Sequence, residues 1–278
     1  MNKKMNPSKK FNQIVKDIKS IKIQGARNVA RSALKAYFLL PSKNSKRILL
    51  KSRPTEPMMQ YVLDLAESGE SLNKILAHFE KTKELINKSA LKLIKNKDQI
   101  FTHCRSSTVT SALINAKERG KKFEVYNTET RPLYQGRKTA RELKKAGIKV
   151  TMFVDSAMNS VLSKGKESRL KRVDKVFIGA DALLREGIIN KIGSELVAHL
   201  AKEEGIPVYI LSDSWKFTSE KIKVEQRSLN EVWNKAPKNI KIKNPAFEFV
   251  PKKYIKGIVS EFGIQTYNEF VKSCKKRK

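Results

Sequence analysis

The chain has 278 residues, 40% of them hydrophobic, enough to bury a sizeable core as one large domain or two unequal ones and too apolar for a disordered polymer. Its 59 basic residues against 27 acidic ones leave a formal charge of +32, an excess that draws polyanions such as nucleic acid, phosphorylated protein or phosphorylated metabolites. No apolar run reaches the roughly 18–20 residues of a membrane span, and the basic start MNKKMNPSKKF lacks the apolar stretch of a signal peptide.

Two cysteines, Cys104 and Cys274, lie far apart, so no disulfide framework is expected and a reducing cytoplasm is the natural setting. The lysines are spread along the whole chain, with no helix-turn-helix, zinc knuckle or aromatic RNA-binding signature. Adaptation to the cytosol explains the charge about as well as an RNA partner does.

Residues 8–97 read as helical. Phe11, Ile14, Val15 and Ile18 follow one helical face, and a second helix runs from about Ala26 to Leu40 behind Gly25. Its Arg27, Arg31 and Lys35 recur every four residues and share a face, either holding a phosphate near the helix start or simply meeting solvent. Pro54 and Pro57 bracket a turn carrying Arg53, which starts a third helix at about Glu56; a further helix spans about Ser71 to Lys95.

From Gln99 the period changes. Short apolar runs recur at Ile100–Thr102, Phe123–Tyr126, Val150–Val154, Val176–Ile178 and Val208–Leu211, with helical patterns such as Ser107–Glu118 and Lys138–Lys145 between them. Strand alternating with helix predicts a parallel sheet covered on both faces. The expected fold is therefore α/β, a helical N-terminal domain over 1–97 followed by a Rossmann-like parallel-sheet domain over 98–278.

What ends each run is more informative. Polar chemistry follows every one: His103-Cys104-Arg105, then TETRPLYQGR, then Asp155, Asp181 and Ser212-Asp213. In open parallel sheets, ligands bind beyond the carboxyl ends of the strands. Cys104 stands before a helix that Ser106 or Ser107 would cap, so the helix N-terminus and Arg105 both favour thiolate, unless the thiol is a packed small apolar group. A thiolate facing Asp181 makes a general base and general acid suited to moving a proton between adjacent carbons.

Asp181 also fits a plain turn residue, and Asn190, followed by Lys191, fits an N-cap opening a helix. Arg131, Gln135 and Arg137 fit an anion clamp or a surface turn, and Lys216 is within reach of a phosphate or of solvent. His103 reads as structural. His78 and His199 have no partners at metal-ligand spacing, and no phosphate-cradling GxxxxGK[ST] loop is present, so neither a metal nor a cofactor is expected.

With these residues in view, the chain resembles the family joining translation initiation factor 2B alpha, beta and delta subunits, methylthioribose-1-phosphate isomerase and archaeal ribose-1,5-bisphosphate isomerase. SRPTEP, FTHCRSS, TETRPLYQGRKTARELKKAGI, VDSA, GADALLREGIINKIG, SDSWKF and NPAFEFVPKKYI carry the resemblance, in family order from about residue 20 to 265. The family's isomerases are marked by a Cys in the THC segment and an Asp in the GAD segment. With Cys104 and Asp181 both present, the chain is most similar to the ribose-1,5-bisphosphate isomerase branch.

The resemblance implies an aldose–ketose isomerase that turns ribose 1,5-bisphosphate into ribulose 1,5-bisphosphate. Cys104 would take the C2 proton, Asp181 would assist at the oxygens and return a proton at C1, and Gly25, Arg53, Asn190, Lys191 and Lys216 would hold substrate. It also implies a homo-oligomer, a dimer or trimer of dimers. Gln24-Gly25-Ala26 stands where the isomerases carry Arg-Gly-Ala, with Arg27 a displaced substitute, and Glu248-Phe249-Val250-Pro251 replaces the usual Asp-x-Thr-Pro. The alternative within the family is a non-catalytic regulatory subunit binding initiation factor 2 or RNA.

Overall fold

The structure is a computed structural model that describes residues 6–163, 170–222, 224 and 226–276. Helices come first, and local chemistry sets their starts. Asn6 caps α1 (Pro7–Lys19) by accepting from the Ser8 N–H at 2.9 Å, with Pro7 in the first turn where no N–H is missed. Gly25, at φ +83°, opens α2 (Ala26–Leu39) without any side-chain cap. Ser42 caps α3 (Lys43–Ser52), Pro57 opens α4 (Pro57–Glu67), and Ser71 caps α5 (Leu72–Leu93).

The sequence reading placed the third helix at about Glu56; α3 precedes it, so that helix is the fourth. Apolar faces of α1 to α5 meet around Ile18, Leu34, Met58, Leu63 and Phe79. Trp215, from the far end of the chain, is buried in the same cluster and ties these helices to the carboxyl end of the sheet.

That sheet has seven strands: β1 (Gln99–Thr102), β2 (Glu124–Thr128), β3 (Lys149–Phe153), β4 (Lys175–Ile178), β7 (Val208–Leu211), β9 (Gly257–Ser260) and the edge strand β10 (Gly263–Gln265). Their order is β10-β9-β7-β4-β1-β2-β3, parallel throughout except for the β9–β10 pair. Alternate side chains enter different cores, as the two-residue strand period requires. Ile100 and Phe177 pack with α5 and with α6 (Ser107–Glu118), while Phe101, Val176 and Ile178 face α8 (Met158–Leu162), α9 (Ser194–Glu203) and α10 (Tyr267–Lys276). One more helix, α7 (Gln135–Lys145), follows β2.

Chain order explains where a crevice must open. From β1 the chain adds β2 and β3 on one side; β4, β7 and β9 build on the other. The connections leaving β1 and β4 therefore diverge to opposite faces, and the gap between them is the topological switch point. A second, three-stranded antiparallel sheet lies beside it, ordered β5-β6-β8 from Ala182–Leu183, Gly187–Lys191 and Phe247–Pro251. This sheet is a correction. Asn190 and Lys191 do not open a helix; they end β6, a fully buried strand whose Ile188-Ile189 run is too short to declare itself.

Candidate functional site

At the switch point lies a narrow cavity with about 580 Å³ of unfilled space, of which about 70 Å³ admits the centre of a water molecule. Cys104 and Asp181 both line it, two residues beyond β1 and three beyond β4, which are neighbouring parallel strands.

Cys104 sits at φ +65°, a conformation that a non-glycine residue holds only when its surroundings impose it. Two hydroxyls do so. Thr130 Oγ1 accepts from the Cys104 N–H at 3.0 Å, and Thr139 Oγ1 donates to its carbonyl at 2.9 Å. Thr130 is itself at φ +62°, and the N–H groups of Thr130 and Arg131 donate to the two carboxylate oxygens of Asp155 at 2.8 and 2.6 Å. The acid that ends β3 is thus an anchor for the loop that holds Cys104.

Beneath Cys104, His103 is buried, and burial lowers its pKa. As a neutral ring it donates from Nε2 to the Ile192 carbonyl at 2.8 Å and accepts at Nδ1 from the Thr128 hydroxyl at 2.5 Å. Gly193, at φ +97°, is required here: a Cβ would stand 2.9 Å from that Nε2.

The electrostatics correct one expectation. Burial pushes the Cys104 thiol up to about 12, against the Arg105 main-chain N–H and Lys191, with Asp181 adding to the rise. Burial outweighs both expected sources of thiolate stabilisation. The Arg105 guanidinium is turned to Glu142, at 3.0 Å from Nε and 2.9 Å from Nη2, and Ser106 Oγ takes the Val109 N–H at 3.3 Å at the start of α6. Burial likewise raises the Asp181 carboxyl, opposed by Lys216, Arg53, Lys191 and Arg227. It lowers Lys191 and Lys216. A carboxyl with a raised pKa is a candidate proton donor.

Gly25, Arg53, Gln135, Asn190 and Lys191 line the same cavity. Asn190 is braced by donating from Nδ2 to Ser194 Oγ at 2.8 Å. Lys216 stands behind Asp181, buried, its Nζ donating to the Ala180 carbonyl at 2.5 Å. Lys216 therefore does not line the cavity, and two more predicted residues lie farther from it. The Arg27 guanidinium lies 3.7 Å from Asp213 and 5.8 Å from the Phe79 ring centre, in a separate cleft with Arg31 and Glu80. Arg131 donates outward, to the Tyr134 hydroxyl at 2.6 Å and the Val232 carbonyl at 3.2 Å.

Sequence reasoning missed Arg227, Ala246 and Phe247, which complete the cavity wall from stretches without helical period. Only the charge of Arg227 offered a signal.

The initiation factor 2 subunit family matches residues 42–267 of this chain. Ribose 1,5-bisphosphate isomerase from Methanocaldococcus jannaschii is 34% identical over 294 residues, covering 94% of this chain and 93% of that protein. A 5-deoxyribose 1-phosphate isomerase from Petrotoga mobilis is 37% identical over 244 residues, covering 80% and 67%. Among solved structures, the translation initiation factor eIF-2B of Pyrococcus horikoshii superposes with a TM-score of 0.80 at 27% identity, covering 92% of this chain and 96% of that one. The chain belongs to the initiation factor 2 subunit family.

A second polar cluster of this family member was also invisible in the sequence. His78 Nε2 lies 3.3 Å from Asp213 Oδ1 and 3.0 Å from the Thr82 hydroxyl, and its ring stacks on Trp215 at 3.4 Å between centres. Glu261 completes a trio of possible metal-ligand atoms within 4.8 Å of one another. The positive charge beside Asp213 is the Arg27 guanidinium, and Glu261 accepts from the Ser214 hydroxyl and N–H, so the cluster is knitted from its own side chains. Among the described residues no helix is long and apolar enough to cross a membrane.

Proposed function

We propose that this chain is an aldose–ketose isomerase of phosphorylated pentoses that converts ribose 1,5-bisphosphate to ribulose 1,5-bisphosphate. One observation carries the reading: a thiol and a carboxyl with a raised pKa line a single cavity at the switch point, with Arg53 and Lys191 in its wall and Lys216 behind. Relatives named as sugar-phosphate isomerases cover most of the chain and point the same way.

The chemistry balances with these two groups alone. Asp181 gives its proton to the ring oxygen as the bond from C1 to that oxygen breaks. The Cys104 thiolate takes the C2 proton, and the C2–H electrons form a C1–C2 double bond, leaving an enol phosphate. The Cys104 thiol then protonates C1, a step the family resemblance gives to Asp181, while the C2 hydroxyl returns its proton to the Asp181 carboxylate and becomes the ketone. Both groups end as they began. The narrow cavity keeps water from the enol.

The protein is further read as a cytoplasmic homo-oligomer, a dimer or trimer of dimers, with a helical domain over 1–97 and a catalytic domain over 98–278. Incubation with ribose 1,5-bisphosphate, followed by detection of ribulose 1,5-bisphosphate, tests the activity; Cys104→Ser turning over as fast as the parent removes the mechanism. A regulatory subunit that binds initiation factor 2 or RNA is the second reading, favoured by the likeness to eIF-2B and by the +32 charge. Pull-down with initiation factor 2 and salt-dependent RNA binding test it, and absence of both at physiological ionic strength counts against it.

A further inference from the structure

We infer that Arg227, held at the cavity wall by the neck of the loop over residues 226–245, selects a pentose that carries a second phosphate. The inference rests on the isomerase reading for its substrate class.

Beyond β7 the chain leaves the seven-stranded sheet and next enters a strand at β8 of the second sheet, and the loop over residues 226–245 is closed at its base. Gln226 bridges Pro245 in antiparallel fashion, and the Arg227 N–H donates to the Asn244 carbonyl at 3.0 Å. Asn244, buried, donates from Nδ2 to the Ser228 carbonyl at 2.9 Å and to Glu231 at 3.1 Å. Outside the cavity, Arg131 donates to the Val232 carbonyl at 3.2 Å. These bonds run mostly through the main chain, so they fix where residue 227 stands whatever its side chain. The residues just past the neck, Ala246 and Phe247, line the cavity with Arg227.

The cations around Asp181 fall into two sets. Arg53 lies 3.9 Å from Glu56, and Lys216 feels the same carboxylate. Lys191 and Arg227 act on each other as like charges, with Glu231 and Asp181 as the acids nearby. Two cations held close in a half-buried wall repel, and an anion between them relieves that repulsion. A phosphate bears about −1.5 to −2 charges near neutral pH and takes a guanidinium in bidentate fashion. Two phosphates on one pentose fit two cation sets flanking one proton donor.

The experiment compares KM for ribose 1,5-bisphosphate and for 5-deoxyribose 1-phosphate in the full chain and in Arg227→Gln. Loss of charge-assisted bonds predicts a rise of about 10- to 100-fold in KM for the bisphosphate, with less than about a twofold change for the monophosphate. Arg227→Lys is expected to recover part of the loss, because charge returns without the planar fork. No change for the bisphosphate, or an equal rise for both sugars, overturns the inference and leaves the isomerase reading standing. If neither sugar is turned over, the isomerase reading fails by itself. Calorimetric titration with ribose 1,5-bisphosphate then decides: binding weakened tenfold in Arg227→Gln supports the inference, and equal or undetectable binding to both chains overturns it.

Discussion

Two buried charged clusters lie beyond the carboxyl ends of the neighbouring strands β4 and β7 and differ in one respect. Around Asp213, the groups close on one another: His78 Nε2 lies 3.3 Å and the Arg27 guanidinium 3.7 Å from the acid, the Trp215 main-chain N–H donates to it at 2.9 Å, and Thr82 and the Trp215 ring hold His78. Around Asp181, Cys104 and Lys191 instead abut empty space. Both gather residues far apart in the sequence. The first holds α2 and α5 to the end of β7; the second has chemistry left over. What marks a reactive site is less the presence of charge than an unfilled volume between the charges.

That contrast breaks most directly at Cys104. Cys104→Ser and Asp181→Asn are each expected to lower kcat by about 10²- to 10⁴-fold, the range for loss of a positioned acid or base, with little change in thermal stability. Conversion of ribose 1,5-bisphosphate and a thermal melt read the two quantities. Asp213→Ala should do the reverse, costing about 3–5 kcal/mol because it leaves the Arg27 guanidinium buried and uncompensated. Arg27→Met should then leave KM within about twofold, whereas a substrate-binding Arg27 would raise it about tenfold or more.

How far these roles were legible depended on the kind of signal. Five of the six parallel strands announced themselves as short apolar runs closed by Gly or polar residues, Val176–Ile178 before Gly179 among them, whereas β9, parallel to β7, did not. Cys104 and Asp181 could be singled out for the same reason, as polar residues at strand ends. By contrast β6 pairs with β8 across more than fifty residues, and nothing local in Gly187–Lys191 encodes that partner. Arg27 shows the limit most clearly. Helical period fixed its face of α2 but not what that face would meet. The thiol's environment is hidden from the sequence because Arg105 reads as a free charge, while its partner Glu142 lies 37 residues away.

The pH dependence sharpens the contrast with a smaller effect. A base whose thiol is pushed up to about 12 gains thiolate throughout the alkaline range, so kcat/KM is expected to rise between about pH 7 and 10, by at most about tenfold per unit. A flat profile over that range would remove Cys104 as the base. The same shift has a stability consequence. The folded chain holds this proton more tightly than the unfolded chain, whose thiol has an ordinary value near 9. The contribution is therefore complete below about pH 9 and fades as pH climbs toward 12. Cys104→Ser should melt less alkali-sensitively than the parent across that window.

The smallest expected effect falls on Ser106. Its hydroxyl takes the Val109 N–H at 3.3 Å, so Ser106→Ala frees one donor at the start of α6 and should cost about 1 kcal/mol in a thermal melt. The informative reading is the pH profile of that variant. If the α6 N-terminus has little hold on the thiol because burial dominates, the profile should stay where it was despite the lost cap. A profile moved toward lower pH would mean that freeing the N-terminus stabilises the thiolate, so that the closed cap, and not burial alone, holds Cys104 protonated. The loop side adds little freedom to this test, since Thr130 and Thr139 hold the Cys104 backbone on both its donor and its acceptor.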